Sequence, residues 1–127
     1  MPKLSKDTAP QSEYIEGIVD DRRGTLDGYT VEWSTFLGDM DGSAMLKGLP
    51  NDQCQCPHWG YVFKGRLGFR FSDHEETYEA GDAFYAPPGH IPLTYEGSEV
   101  LWFHPTDDLE QTMEAVRKNM EAAGAQP

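Results

Sequence analysis

The sequence has little of several features that define common protein classes. It contains two cysteines in 127 residues, too few for a disulfide framework, and this count is typical of a protein in a reducing compartment. No apolar run approaches the ~18–20 residues that a transmembrane helix requires. The first ten residues contain no apolar segment of the kind that a secretory signal needs. The sequence therefore predicts a cytoplasmic protein that does not span a membrane.

Basic side chains are also scarce. Ten Lys and Arg stand against twenty-two Asp and Glu, which gives a formal net charge of −12. Such a surface repels phosphate backbones and anionic lipid headgroups, so the composition argues against nucleic-acid and membrane partners. No glycine-rich nucleotide loop, Ser–His–Asp order or kinase signature is present. A small molecule remains as the expected kind of partner.

Glycine, proline and aromatic residues are, by contrast, plentiful. The chain has 13 glycines, 9 prolines and 12% aromatic residues. This composition is typical of a turn-rich β-protein rather than of a helical bundle. The length of 127 residues suits one domain that is large enough to bury a core.

The pattern of side chains divides the chain into three segments. Residues 1–13 are polar and are expected to form a flexible arm. Residues 14–104 contain about eight short strand-like segments bounded by turns, such as Tyr29–Thr35, where the larger side chains should face the core. Residues 105–127 are expected to form a helix and tail, with apolar side chains at helical spacing at Leu109, Met113, Val116 and Met120. The sequence therefore predicts an all-β fold, a small antiparallel barrel or double-sheet jelly roll, with a C-terminal α-helix.

Metal-binding side chains occur beside two of these segments. Cys54, Cys56 and His58 lie at i, i+2 and i+4, so an unbroken strand would present all three on one face, although Pro57 can introduce a bulge. His90 follows a Pro-Pro-Gly turn about thirty residues later. Thiolate and imidazole groups are typical ligands of borderline-soft metals such as zinc. If the two segments face each other, these side chains can converge on one ion.

The glycines and prolines around these residues resemble the motif frame of the cupin superfamily. Gly81, Pro87 and Gly89 match the second cupin motif, and Gly65 matches the glycine that ends the first. The resemblance covers residues 52–104. It implies a cupin-type antiparallel β-barrel (a double-stranded jelly roll) over residues 14–104, and it implies a homodimer built with the N-terminal strand and the C-terminal helix.

The residues at the ligand positions of this frame differ from the usual cupin set of three histidines and one glutamate. His58 occupies the position of the usual glutamate, Cys54 that of the second histidine and Asp52 that of the first. His90 lies two residues before the position of the usual histidine in the second motif, which Pro92 occupies. The pattern resembles a subgroup of small single-domain cupins with Cys-x3-His and Pro-Pro-Gly-His, for which the resemblance implies metal binding and no defined reaction.

We therefore predict one divalent metal held by Cys54, His58 and His90, with zinc favoured and iron, nickel or copper compatible with the same ligands. Cys56 and His104 are candidates for an additional ligand or for a residue that supports the ligands. The alternative for each of these side chains is ordinary burial in a core. Aromatic residues that point inward would line a pocket for an organic ligand, and the candidates are Trp59, Tyr61, Tyr95 and Trp102.

Three hypotheses about function follow from the sequence. The first is a metal-binding cupin with a small-molecule pocket and an undefined reaction. The second is a non-catalytic module that senses a metal or a ligand through its C-terminal helix. The third is a metal-free barrel in which the cysteine and the histidines are only packed.

Overall fold

The main elements of this chain are β-strands, in which buried and exposed side chains alternate. The computed structural model describes residues 3–124, and within them ten strands form two antiparallel sheets. In the strand that begins at His58, the side chains of His58 and Val62 are buried and those of Trp59 and Tyr61 are exposed. This period of two is the one that the sequence predicted for residues 14–104.

The two sheets face each other as the layers of a jelly roll. The strands of the larger sheet, in spatial order, are β1 (Gln11–Ile15), β2 (Val19–Leu26), β3 (Tyr29–Phe36), β10 (Glu99–Pro105), β5 (His58–Lys64) and β8 (Ala83–Ala86). Those of the smaller sheet are β4 (Met40–Asp41), β9 (Ile91–Thr94), β6 (Arg66–Arg70) and β7 (Glu75–Glu79). Two short 3-10 helices, Gly42–Leu46 and Pro50–Asp52, connect β4 to the segment that carries the cysteines. The predicted all-β jelly roll with a C-terminal helix is confirmed.

The main core lies between the inner faces of the two sheets. Leu67 and Phe69 of β6 have no exposed surface, and they pack against the inner side chains of the larger sheet. The members from the larger sheet are Phe36, Val62, Phe84, Ala86, Val100 and Trp102. Full burial of one such side chain stabilises the fold by about 1.5–3 kcal/mol, so this cluster accounts for much of the stability.

The C-terminal helix α1 (Thr106–Ala122) packs on a second, smaller cluster. Its first turn carries Asp107 and Asp108, whose charges are favourable at a helix N-terminus. The buried face of the helix contacts Leu46, Cys54 and Cys56 through Leu109, with Met113 and Val116 beside it. Among residues 3–124, no helix is both long and apolar enough to cross a membrane.

One predicted boundary needs correction. The flexible arm was predicted over residues 1–13, but β1 begins at Gln11, and Ser12 and Glu13 pair with β2. Polar side chains do not prevent pairing at a sheet edge, because the backbone supplies the hydrogen bonds. Before β1, the backbone amides of residues 8 and 9 donate to the carbonyl of Ser5. Residues 1–2 and 125–127 of the predicted arm and tail lie outside the described residues.

Gly65, the glycine that the first motif requires, has a clear structural reason. Its φ is +67°, a conformation that side chains disfavour, and a Cβ at this position would lie 2.2 Å from Ser98 Oγ. The Ser98 hydroxyl accepts a hydrogen bond from the Arg66 amide at 3.0 Å, so it cannot move freely. The glycine therefore fixes the turn between β5 and β6.

Candidate metal site and adjoining cavity

The segment before β5 and the turn after β8 lie side by side. The Cys54 amide donates to the His90 carbonyl at 2.8 Å, and the Gly89 amide donates to the Cys54 carbonyl at 2.8 Å. This isolated antiparallel bridge holds Cys54 opposite His90. His58 is the first residue of β5 and points inward, because β5 pairs with β8 from this residue onwards. The backbone thus brings three sequence-predicted ligands to one place.

The ligand atoms of Cys54, His58 and His90 all lie within 4.8 Å of one another, and all three residues are buried. Cys54 Sγ is 3.7 Å from His58 Nε2, and the two imidazole rings are 4.7 Å apart between centroids. Movements of the side chains by about an ångström would place all three atoms ~2.0–2.3 Å from a common zinc ion, the bond lengths that zinc requires. The three atoms are thus close enough to one another to hold a single ion.

The hydrogen bond of His90 fixes which of its nitrogens carries a proton. Its Nδ1 lies 2.7 Å from the carbonyl oxygen of Pro87, and a carbonyl only accepts, so Nδ1–H donates. In a neutral imidazole, Nε2 then carries a lone pair. This Nε2 is buried and has no hydrogen-bond partner among residues 3–124. An unpartnered buried acceptor costs about 1–3 kcal/mol, and a bound cation would satisfy it.

The same reasoning assigns the lone pair of His58. His104 Nε2 lies 2.7 Å from Glu32 Oε1, and a carboxylate accepts, so His104 donates there and its Nδ1 is an acceptor. His58 Nδ1 lies 2.6 Å from His104 Nδ1 and must therefore donate to it. His58 Nε2 is left with its lone pair on the side of Cys54. Two acceptor nitrogens thus surround one thiol, whose single proton can satisfy only one of them.

Burial keeps these groups uncharged when no ion is bound. Desolvation holds the pKa of His58 well below its ordinary value, and it lowers the pKa of His90 to about 4 and that of His104 to about 3. Burial raises the pKa of the Cys54 and Cys56 thiols. The imidazoles are therefore ready to coordinate at neutral pH, and binding of a cation would displace the Cys54 proton.

Cys56 and His104, the additional candidates, lie in the same cluster. A second group of close ligand atoms consists of Cys56, His58 and His104. In this group, however, the Nδ1 atoms of both histidines are occupied by their mutual hydrogen bond, and Cys56 Sγ donates to the carbonyl of Pro57 at 3.4 Å. The arrangement favours His104 as the residue that orients His58, a common role behind a metal-bound histidine.

Two buried carboxyl groups beside this cluster were missed by the sequence reasoning. Glu32 accepts from His104, and Asp21 accepts from Ser34 Oγ at 2.7 Å. Burial and the neighbouring Glu32 raise the pKa of Asp21 to about 9. The alternation along β3 was predicted correctly but with the wrong direction, because its polar members Thr30, Glu32 and Ser34 are the inward ones. The side chain of Trp33 points to the outer face.

A cavity of about 210 Å³ adjoins the site. It lies between the inner face of the larger sheet, the 3-10 helix at residues 42–46 and α1, and Cys54, His58 and His104 form part of its wall. Among the predicted pocket aromatics, Trp102 lines this cavity. A cavity of this kind beside a cluster of metal-capable side chains is typical of a small-molecule site.

The other three predicted pocket aromatics do not line this cavity. Trp59 and Tyr61 are about 40% exposed on the outer face of the larger sheet, since they are the second and fourth residues of β5 and alternate with the inward His58. The guanidinium carbon of Arg66 lies 4.1 Å from the ring centroid of Tyr95. Tyr95 follows the last residue of β9 and His90 precedes the first, so the two lie at opposite ends of that strand. The structure places these three side chains away from this cavity, because large aromatic size does not indicate which face a side chain occupies.

Removal of the Glu32 charge tests the role of the hydrogen-bond chain behind His58. Glu32→Gln is expected to weaken metal binding by about 10–100-fold, the usual effect of losing a partner behind a metal-bound histidine. Competition with a chromophoric chelator measures the change. Glu13→Gln is the matched control, because Glu13 pairs with the same Arg23 at 3.4 Å without contacting His104. Equal metal affinity in the two variants would show that Glu32 does not support the metal ligands.

Known proteins resemble this chain in structure rather than in sequence. No protein-family model matches the chain, and no curated protein matches it in a sequence search. A protein of unknown function from Rhizobium leguminosarum superposes with a TM-score of 0.56 at 17% identity, covering 82% of this chain and 94% of that one. An RmlC-like cupin from Shewanella frigidimarina gives a TM-score of 0.51 at 18% identity over 75% and 83% of the two chains. A mutant of oxalate decarboxylase from Bacillus subtilis gives 0.57 at 15% identity, over 80% of this chain and 28% of the larger enzyme.

Proposed function

Since the chain has the cupin fold, we propose that it is a metal-binding cupin whose ion is held by Cys54 Sγ, His58 Nε2 and His90 Nε2. The observation that supports this most strongly is the buried, unpartnered Nε2 of His90, which faces a second imidazole lone pair and a thiol. A packed core would not leave such an acceptor unsatisfied without cost. A divalent cation satisfies all three atoms at once.

Zinc is the metal that these ligands favour. One thiolate and two imidazoles are a common set for Zn²⁺, and ferrous iron, nickel and copper accept the same groups. Three protein ligands leave at least one coordination position for water or an organic ligand from the cavity. An ion bound here would supply Lewis acidity, and His104 and Glu32 would hold the orientation and tautomer of His58. Two free thiols are usual in a reducing compartment, and they support the cytoplasmic location that we propose.

Elemental analysis of the purified protein tests this proposal. We expect close to one equivalent of metal per chain after growth or refolding with zinc. Cys54→Ser and His90→Ala are expected to lose the metal, whereas Cys56→Ser is expected to keep it. Cys56 is the matched control because it is also a buried cysteine, two residues from Cys54. The proposal fails if the wild-type protein binds no metal, which leaves the metal-free barrel, or if Cys56 rather than Cys54 is required.

A sensing function is the second candidate, and one contact favours it. Thr112 Oγ1 of α1 lies 3.5 Å from Cys54 Sγ, so the helix contacts the sulfur that would lose its proton when a metal binds. Metal binding would convert Cys54 to a thiolate, which would accept a stronger hydrogen bond from the Thr112 hydroxyl and hold α1 more firmly. Hydrogen exchange of the α1 amides should then slow by at least tenfold when zinc is added. Unchanged exchange in α1, with metal bound, would argue against a sensing helix.

A second copy of the chain is the partner that we propose for the outer face of the larger sheet. Five aromatic side chains on outward positions of three adjacent strands are 37–48% exposed: Trp59, Tyr61, Phe63, Tyr85 and Phe103. Each aromatic side chain has roughly 150–250 Å² of surface, so this aromatic patch alone offers roughly 300–500 Å². A stable dimer buries roughly 800 Å² per copy, and the patch would form the core of such an interface.

Sedimentation measures this association directly. We expect a dimer that becomes tighter with salt, because each copy carries a net charge of −12. Trp59→Arg is expected to weaken it by at least tenfold, since the change puts a cation into the centre of the aromatic patch. Tyr14→Arg is the control, because Tyr14 is exposed on β1, away from this patch. A monomer at all salt concentrations would refute this interface.

A further inference from the structure

The wall of the cavity is almost entirely apolar. All four methionines among residues 3–124 line it: Met40, Met45, Met113 and Met120. Leu46, Leu109 and Val116 complete the side formed by α1 and the 3-10 helix. Methionine side chains are flexible and polarizable, so such a wall adapts to apolar guests of different shapes.

The buried charged side chains of the cavity are paired with one another. Arg23 forms ion pairs with Glu13 at 3.4 Å and with Glu32 at 3.6 Å, and it lies 3.3 Å from the carboxyl group of Asp21, whose raised pKa keeps it protonated. One guanidinium therefore serves three carboxyl groups and is not free to bind an anion from outside. Arg117, the other arginine of the lining, is exposed on α1 and lies at the rim.

From this distribution of charge we infer that the cavity binds an uncharged, mainly apolar molecule, with one neutral oxygen or nitrogen directed toward Cys54, His58 and His104. This inference rests on the proposed function, because the polar group of the ligand would occupy the open position of the ion. The volume of about 210 Å³ suits a guest of one aromatic ring with a small substituent. For comparison, an apolar protein cavity of ~150 Å³ holds benzene.

An anionic guest is disfavoured for a physical reason. A carboxylate near the site would lie beside Glu32 in a buried environment, where the guanidinium of Arg23 is already paired and Arg117 lies only at the rim. The charge of an ion at the proposed site would be largely balanced by the Cys54 thiolate and by Glu32. Burial of an unpaired charge costs several kcal/mol, more than the apolar part of such a small molecule gains. The same groups accept a hydroxyl without that cost, since it is neutral and can donate as well as accept.

Benzyl alcohol and benzoate form a matched pair of probes. They have the same ring, and they differ in the charge of the substituent. We expect the alcohol to bind at least tenfold more tightly than benzoate at pH 7, in zinc-loaded protein and also in protein treated with a chelator, as measured by NMR titration. Val116→Phe, which fills the cavity, is expected to weaken alcohol binding at least tenfold. Lys118→Phe adds the same side chain to the exposed face of the helix and should leave binding unchanged.

The results separate this inference from the proposed function. Benzoate binding as tightly as the alcohol, with loss of that binding in Arg117→Ala, would replace the inference with an anion site at the rim. Binding of neither probe, or alcohol binding that Val116→Phe does not weaken, would overturn it as well. If the protein takes up no zinc but still prefers the alcohol, the metal site is refuted and the character assigned to the cavity is supported.

Discussion

Phe69→Ala is expected to lower the free energy of unfolding by about 3–5 kcal/mol, the usual cost of removing a phenyl ring from a packed core. Phe69 is fully buried, and its ring centroid lies 4.8 Å from that of His90 and 5.9 Å from that of His58. The ring therefore supports both proposed imidazole ligands as well as the core. We expect the variant to bind zinc at least tenfold more weakly, in addition to being less stable, as measured by urea unfolding and chelator competition.

Two further variants separate packing from general damage. Phe63→Ala, the same change at a side chain that is 46% exposed, is expected to cost less than about 1 kcal/mol and to leave zinc affinity unchanged. Phe69→Leu should recover most of the lost stability, because the volume is largely restored. A Phe69→Ala protein with wild-type zinc affinity would show that this ring does not hold the ligands in place.

Acid is expected to destabilise the metal-free protein strongly. The pKa of His90 is about 4 and that of His104 about 3 in the folded state, both below the ordinary 6.5, so the unfolded chain binds more protons as the pH falls below 6.5. Asp21 acts in the opposite direction, because its pKa of about 9 keeps one proton on the folded state. The balance of these three groups rises from none near pH 6.5 to about one proton below about pH 5.5, so the change between pH 6.5 and 4.5 amounts to about 2 kcal/mol. His58, whose pKa is also lowered, adds to the loss.

Urea unfolding at pH 6.5 and 4.5, with a chelator present, measures this difference. His90→Gln removes one of the titrating groups and should reduce the pH dependence by about one proton. His74→Gln should not reduce it, because Asp73 and Glu76 raise the pKa of His74, so this side chain favours the folded state as the pH falls. Stability that stays constant or increases toward pH 4.5 would contradict the neutral, buried histidines described for this site.

The motif frame made much of the fold predictable from sequence. Gly65 ends β5 in a conformation that only glycine adopts easily, and the Pro-Pro-Gly turn places His90 beside Cys54. These are local constraints of the backbone, so they are visible in a short stretch of sequence. The spacing of Cys54 and His58 likewise predicted that they share a site, and their ligand atoms lie close together.

The features of the site that the sequence did not predict depend on contacts between segments that are distant in the chain. Glu32 reaches His104 across 72 residues of sequence, and no local pattern marks it as an inward side chain. Trp59 and Tyr61 were candidates for the pocket because they are large aromatic residues, yet they alternate along β5 with the buried His58 and lie on the outer face. Alternation reveals that a strand has two faces, but the partner strands decide which face is buried.

Anomalous diffraction at the zinc edge, from a crystal of the zinc-loaded protein, tests the central proposal most directly. We expect one strong peak per chain, within about 2.0–2.3 Å of Cys54 Sγ, His58 Nε2 and His90 Nε2, with the His58–His104–Glu32 hydrogen bonds intact. A peak bound by Cys56 and His104 instead, or no peak between β5 and the turn that carries His90, would contradict the account.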